Sequence, residues 1–460
     1  MKIYFYLLLT VCSTNLLTAC GGSTSASAAV AVDSEPQVTP IIISTEGFVV
    51  ENGMIRDEAL AGLNALDEYP TEEQQLISQD QTLVNAINGG YAYSPAETLS
   101  LHNTISSVFA KASGSVSVAS IAESEFSKLT ANVRRIIRMM DEDQFEYLFY
   151  MRRPPYTYID FIKAAAKWPR FCGEMSEAHT LIDTTDKSAA MDTSCKGEMA
   201  SMFAHFSQEV GAHTGGEEWR EGLYFSEEIG CENGVCIAYN APCTNGTWTQ
   251  FAYPCGSGVT YHGRGAKQLS YSYNYGPFSR IIYGDFTLLN APERVANEGF
   301  LTLASAMYFY MTPRSPKPSI HQTVTGLWLP TSTDKNEGRN LGFGVQTLII
   351  NGGIECGDGT RSSQAINRAS YFESFAVYFN IWDSWFKPTQ LHCEVSQAFT
   401  NDESSSTYYK GFIAQKWDGS CGYVVWEETG FNAFTPGDLQ LCEQSVAEGI
   451  YPAFPANSMP

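Results

Sequence analysis

The stretch Tyr261-His262-Gly263-Arg264-Gly265-Ala266-Lys267-Gln268-Leu269-Ser270-Tyr271-Ser272-Tyr273-Asn274-Tyr275-Gly276 decides how the rest of the chain is read. It carries three glycines, four tyrosines and a run of amide and hydroxyl side chains, with no acidic residue. Glycine at this density lets a backbone turn tightly and approach a ligand closely. Tyrosine presents a flat apolar face and a polar rim. A sugar ring has the matching surface, an apolar C–H face edged with hydroxyls. An aromatic turn packed into a β-rich core would use the same residue types, so the stretch alone leaves binding and packing both open.

The surrounding composition narrows the partners. At 460 residues the chain has room for two or three domains, on a length of about 150 residues each. Acids outnumber bases by 50 to 28, a net charge of −22. A phosphate backbone needs a basic surface, so nucleic acid is excluded as a partner. A polybasic anchor on anionic lipid fits equally poorly. A neutral polysaccharide is unaffected by the charge.

The N-terminus reads as a targeting segment. Lys2 supplies a positive start, and the apolar core Ile3–Val11 is too short to span a bilayer. Leu17-Thr18-Ala19-Cys20-Gly21 resembles the lipobox of bacterial lipoproteins, with Cys20 as the acylated residue. A plain secretory signal cleaved nearby is the alternative. Both place the protein outside the cytoplasm, where disulfides persist. Of twelve cysteines, Cys12 leaves with the signal and Cys20 is lipidated. Ten remain: Cys172, Cys195, Cys231, Cys236, Cys243, Cys255, Cys356, Cys393, Cys421 and Cys442. Sequence does not fix their pairing. Joining neighbours along the chain gives Cys172–Cys195, Cys231–Cys236, Cys243–Cys255, Cys356–Cys393 and Cys421–Cys442. A zinc site built from Cys231, Cys236, Cys243 and Cys255 is the rival to two of these pairs.

Gly21–Thr45, rich in Ser, Ala and Thr, reads as a flexible tether. Apolar residues then recur at helical spacing, first at Ala59, Leu60, Leu63 and Leu66, and again at Val133, Ile136, Ile137 and Met140. The cluster Asp141-Glu142-Asp143 caps or solvates a helix. Tyr158, Phe161, Ile162, Ala165 and Ala166 form one helical face that Pro169 ends. Met199, Met202, Phe203 and Phe206 form another, and Glu209 extends it. A carboxylate on an apolar face is costly to ionise, so its pKa is expected to rise, which suits a general acid. A helix-end residue turned to solvent is the plainer alternative. Cys231–Tyr261 is a long Cys-, Gly- and Asn-rich loop of the kind that walls a cleft. Leu301, Ala304, Ser305, Tyr308 and Met311 share a further helical face. Tyr408, Tyr409, Trp417, Tyr423 and Trp426, with Cys421 and Cys442, suggest a small packed module at the C-terminus.

Tyr261–Gly276 resembles the Y-x-G-R-G-x-x-Q-L-S-x-x-Y-N-Y-G signature of the glycoside hydrolase family 19 chitinases. Phe203–Gly216 with Glu209, Met311–Ser319, and Gly344–Cys356 with Ile350-Asn351-Gly352-Gly353-Ile354-Glu355-Cys356 resemble the same family in the same order. The resemblance runs from Tyr158 to Cys393. It implies a mainly α, disulfide-containing protein whose lysozyme-like α+β catalytic domain, with a deep cleft, occupies residues 152–395. A signal peptide (1–20), linker (21–45) and helical N-terminal region (46–151) precede it, and a small extension (396–460) follows.

By the same resemblance the activity is that of an endo-acting chitinase, cleaving β-1,4 bonds between N-acetylglucosamine units with inversion. Glu209 is the implied acid. Glu228 is the implied base, with its neighbour Glu227 still open, and Ser270 helps hold the attacking water. Inversion needs roughly 6.5–9.5 Å between the two carboxyl groups, to fit that water. Gln268, Tyr273, Asn274, Lys317, Asn351 and Arg368 match substrate-binding positions, and Cys356–Cys393 matches a family disulfide. No metal or cofactor is implied. The partners are chitin or chito-oligosaccharides, with cell-wall polysaccharide as a further possibility. The protein is expected to be a monomer that meets the outer membrane or cell surface only through its lipid, or is otherwise secreted. Three departures stand out: Gln208 replaces a histidine, Gly211-Ala212-His213 are extra, and Arg314 replaces a glutamine. A peptidoglycan hydrolase and a non-catalytic chitin-binding lipoprotein are the rival readings.

Overall fold

Local sequence signals start or stop several of the helices. The computed structural model describes residues 92–399 apart from 177–181, 183–184, 232–235, 245–252, 254, 314–316 and 383–390, together with the backbone of short strands towards either end. Helix α1 (Pro95–Phe109) opens on a capping box. Ser94 Oγ accepts from the Glu97 amide, and the Glu97 carboxylate accepts from the Ser94 amide. Helix α2 (Glu123–Phe126) leads to α3 (Ala131–Met139). The stripe Val133, Ile136, Ile137 and Met140 is buried, as its spacing predicts. Asp141 caps α4 (Glu142–Leu148) by accepting from the Gln144 amide, so the acidic cluster there is a helix start. Helix α5 (Tyr158–Lys167) buries all five residues of its predicted face and ends ahead of Pro169.

The longest described helix is α6 (Lys187–Val210), which buries Met199, Met202, Phe203 and Phe206 and carries Glu209 near its end. Helix α7 (Ser272–Tyr283) begins inside the Tyr-rich stretch. Then come α8 (Thr287–Asn290), α9 (Arg294–Asn297), α10 (Gly299–Met311), α11 (Ile320–Thr325), α12 (Ser332–Asn336), α13 (Phe343–Glu355) and α14 (Ser363–Tyr378). The expected mainly helical body is what the structure shows. Strands are short and antiparallel. β1 (Val50–Glu51) pairs with β2 (Met54–Ile55), and β3 (Phe412–Gln415) lies between β4 (Cys421–Val424) and β5 (Phe431–Asn432).

Helices on both sides of residue 151 share one hydrophobic core. The Phe149 ring meets Phe203 of α6 edge-on at 4.9 Å and lies 6.3 Å from Phe375 of α14. The two helices that carry Glu209 and Arg368 are thus wedged by a residue that precedes the resemblance. Asn132 Nδ2 donates to the Ala165 carbonyl at 2.9 Å, and Lys167 Nζ donates to the Ile281 carbonyl at 2.7 Å, tying α3 to α5 and α5 to α7. Four of the expected disulfides are present: Cys172–Cys195, Cys231–Cys236, Cys243–Cys255 and Cys356–Cys393. The cysteines of the zinc alternative are consumed by two of them. The lipobox with Cys20, the tether, the helix at Ala59–Leu66, Cys442 and most of the C-terminal aromatics lie outside the described residues, and Cys421 and Tyr423 are described only as backbone of β4.

Candidate active site

The Tyr-rich stretch touches both candidate carboxylates. At Gly263 the amide donates to Glu228 Oε2 at 3.1 Å, and the carbonyl accepts from the Glu228 amide at 2.9 Å. At Lys267 the ammonium lies 3.5 Å from Glu209 Oε1. Isolated antiparallel bridges pair Arg264 with both Glu227 and Leu269, folding the stretch back on itself. Two of its glycines make room for protein rather than for ligand. Gly265 has φ +79°, and a Cβ there would fall 2.4 Å from Ser305 Oγ of α10. A Cβ on Gly276 would fall 2.1 Å from the Tyr253 ring. The expected close approach to a ligand is therefore not what these two positions serve. Gln268 and Tyr271 take positive φ without being glycine (56° and 68°), a strained geometry that clusters at functional sites. The Tyr271 and Tyr273 rings stack within 7° of parallel.

Glu209 sits among charges. Arg368 Nη2 donates to its Oε1 at 2.6 Å, and Lys267 approaches the same oxygen. Arg368 also grips Glu355, through Nε to Oε2 at 3.0 Å and Nη2 to Oε1 at 2.9 Å. Asn351 breaks the helical geometry of α13, and its Nδ2 donates to Glu355 Oε1 at 2.8 Å. His205, one helical turn before Glu209, sets its Nδ1 3.4 Å from Arg368 Nη1. Burial, then Arg368 and Lys267, push His205 well below the ordinary histidine value, so it stays neutral and Nδ1 accepts. The sequence expectation for Glu209 is corrected here. Burial does push its carboxyl up, but Lys267 and Arg368 outweigh it, and the net shift is downward. Neither cation is visible in the periodicity of α6.

Glu228 sits among neutral donors. Besides the Gly263 amide, Tyr239 Oη donates to its Oε1 at 2.8 Å. Tyr239 lies on a 3-10 turn, Ile237–Cys243, between the Cys231–Cys236 and Cys243–Cys255 disulfides. Glu227 is engaged elsewhere. His262 Nε2 donates to Glu227 Oε1 at 2.7 Å, with Thr260 Oγ1 2.9 Å from the other ring nitrogen. Buried Arg264 donates to Glu227 Oε1 at 3.1 Å. Glu227 thus fastens the base of the stretch, and Glu228 is left with the exchangeable contacts.

Three of the remaining expected residues bond within the Tyr-rich stretch, and Lys317 reaches α13. Asn274 Nδ2 donates to the Ser270 carbonyl at 2.8 Å, Ser270 Oγ to the Gln268 carbonyl at 2.9 Å, and Gln268 Nε2 to the Gly265 carbonyl at 3.2 Å. Lys317 Nζ reaches the Ile349 carbonyl at 3.5 Å, next to the Asn351 kink. His213 does not touch Glu209. Its Nε2 meets the Gln208 carbonyl at 3.2 Å, and its Nδ1 lies 3.7 Å from Glu218. Sequence reading missed Lys267, Glu355, His205 and Tyr239. Two of these had a signal: Glu355 is four residues after Asn351, and His205 four before Glu209, each on one helical face. Among the described residues, no cluster of three or more His, Cys, Asp or Glu is placed to hold a metal ion. No described helix is long and apolar enough to cross a membrane.

Comparison with known proteins bears on this arrangement. The family model for class I chitinases, glycoside hydrolase family 19, matches residues 151–384. Endochitinase 2 of Solanum tuberosum is 38% identical over 225 residues, which are 48% of this chain and 61% of that protein. Chitinase 9 of Oryza sativa subsp. japonica is 38% identical over 231 residues, 49% of this chain and 60% of that protein. The chain therefore spans less than two thirds of the length of these curated relatives. The crystal structure of chitinase C from Streptomyces griseus HUT6037 is 24% identical with a TM-score of 0.40, over 55% of this chain and 80% of that one.

Proposed function

The chain belongs to glycoside hydrolase family 19, the class I chitinases, and from that premise we propose that it hydrolyses the β-1,4 bonds of chitin or chito-oligosaccharides with inversion at the anomeric carbon. Glu209 protonates the leaving glycosidic oxygen. Glu228 draws a proton from the water that attacks the opposite face of the sugar. The observation that carries this reading is the contrast between the two carboxylates, both fastened to Tyr261–Gly276. One is flanked by Lys267 and Arg368, the other by Tyr239 Oη and the Gly263 amide.

The resting Glu209 is held ionised, yet a general acid must carry a proton. The influence that pushes its carboxyl upward is loss of water, and a bound sugar removes more water. Substrate entry thus favours the protonated form. Ser270 helps hold the attacking water, and the stacked Tyr271 and Tyr273 present ring faces suited to sugar C–H surfaces. Arg368 and Asn351 act through Glu355 to keep the acid in place. Gln268, Asn274 and Lys317 complete the sugar-binding surface. These roles need no metal or cofactor.

We propose further that the chain is exported, acylated at Cys20 and displayed at the cell surface, with residues 152–395 as the catalytic part. Four disulfides and the apolar N-terminal run support export. The test of function pairs wild type with Glu209→Gln on N-acetylglucosamine hexamer. Cleavage by wild type, lost in the variant while hexamer still binds, is the expected result. Most of the turnover surviving in Glu209→Gln would place the acid elsewhere. Degradation of purified cell wall with no cleavage of hexamer would move the substrate to peptidoglycan.

A further inference from the structure

Lys267 belongs to the Tyr-rich stretch, yet its ammonium points at the carboxylate on α6. The Nζ lies 3.5 Å from Glu209 Oε1, and each side chain is only 15% exposed. The ammonium also lies 4.8 Å from the Phe309 ring of α10. Arg368 contacts the same Glu209 oxygen, but its charge is shared with Glu355. The groups with charge at stake around Lys267 are therefore Glu209 and the neutral His205 on α6, Glu355 on α13 and Arg368 on α14. Helix α10 contributes the Phe309 ring.

We propose that Lys267 sets the pH range of the reaction by fixing how far towards neutral pH the acid Glu209 retains its proton. This rests on the reading of Glu209 as the general acid. An ammonium within hydrogen-bonding reach, in a site with little water, stabilises the carboxylate over the carboxylic acid. A sugar hydrolase gains nothing at the chemical step from a deprotonated acid. What the cation provides is a lowered upper pH limit, together with a fixed rotamer for Glu209. The Lys267 charge is the largest single influence that lowers Glu209, and Arg368 adds its own charge and a 2.6 Å hydrogen bond. Lys267 touches Glu209 alone among the carboxylates, whereas Arg368 also holds α13 to α14 through Glu355. Lys267 is thus the residue whose removal retunes the acid without unfastening two helices.

The test uses the full-length protein as wild type, Lys267→Met and Lys267→Arg, with folding checked by circular dichroism. The pH dependence of kcat/KM on hexamer is measured, because its alkaline limb reports the acid of the free enzyme. In Lys267→Met that limb moves up by about one pH unit, the lower end of the shift expected from one nearby opposite charge. Lys267→Arg keeps it near the wild-type position. A limb that stays in place in Lys267→Met overturns the proposal, as does an equal shift in both variants. Titration of the Glu209 carboxyl by carbon-13 NMR in the unliganded proteins gives a readout that needs no turnover. If wild type cleaves no chito-oligomer, the functional reading fails by itself. The proposal about Lys267 then stands or falls on whether the Glu209 titration moves up in Lys267→Met. Should Lys267→Met fail to fold, Lys267→Gln takes its place in both measurements.

Discussion

The two sides of the site solve the same problem differently. On the α6 side, Glu209 is fixed by cations projected from distant parts of the chain, and its ionisation is governed by charge. On the loop side, Glu228 is fixed by a phenol and a backbone amide, with Glu227 next to it engaged by His262 and Arg264. Glu209 and its partner Arg368 lie on two packed helices, α6 and α14. Glu228 is held by Tyr239, on a disulfide-bounded turn, and by the Gly263 backbone. The proposed roles, an acid that hands a proton to a leaving group and a base that faces a mobile water, would benefit from these different kinds of support. Each side accordingly makes its own prediction.

The largest effect is expected from removing either carboxylate. Glu209→Gln and Glu228→Gln should each lower kcat by about 10²–10⁴-fold, the range of general acid–base contributions. Hexamer affinity, measured by calorimetry, should stay near wild type. If Glu228→Gln keeps its turnover while Glu227→Gln loses it, the assignment of the base is reversed.

An ion pair further up α6 tests the helix that carries Glu209. His321 of α11 is fully buried, with its Nδ1 2.5 Å from Glu198 Oε1 of α6. Burial pulls the imidazole down, but Glu198 and then Glu174 outweigh it and raise it from 6.5 to about 9. A folded value above the unfolded one means that the stabilisation is complete below about pH 6.5 and is lost as pH climbs through about 9. Breaking the pair with His321→Gln should cost about 3–5 kcal/mol in urea unfolding at pH 6. It should also flatten the fall in stability between pH 6.5 and 9. An unchanged pH dependence in the variant would mean that the pair does not carry the proton assigned to it.

Smaller effects separate Glu227 from Glu228. Glu227→Gln removes the counterion of buried Arg264 and should lower stability by about 2–3 kcal/mol, the scale of a hydrogen bond to a charged group. The surviving folded protein should turn over near the wild-type rate. Tyr239→Phe removes one donor from Glu228 without touching the acid side. A loss of about tenfold in kcat is expected, corresponding to about 1.4 kcal/mol. If Tyr239→Phe matched Glu228→Gln in severity, the turn would be supplying more than orientation.

These contrasts also show what the sequence could and could not convey. The apolar stripes of α3, α5 and α6 were legible because a helix writes its buried face at a fixed period. Asp141 and Pro169 marked helix limits for equally local reasons. The pairing of neighbouring cysteines held for the four disulfides described. The charge state of Glu209 was not legible. Its apolar face argued for a raised pKa, whereas Arg368, 159 residues away, and Lys267 reverse the sign. Tyr239 had no signal at all, since nothing in a Cys-rich loop says which phenol will meet Glu228. The wedge of Phe149 between α6 and α14 was hidden for the opposite reason: it lies in a helical region with no catalytic pattern, and its role exists only in the packed core.

The most direct test of the central claim is the anomer released first from N-acetylglucosamine hexamer, followed by proton NMR from the earliest minutes of cleavage. An acid at Glu209 and a water-activating base at Glu228 predict initial α-anomer from the β-linked substrate. Initial β-anomer would mean that one carboxylate attacks the sugar itself, and would contradict the division of labour between the two sides.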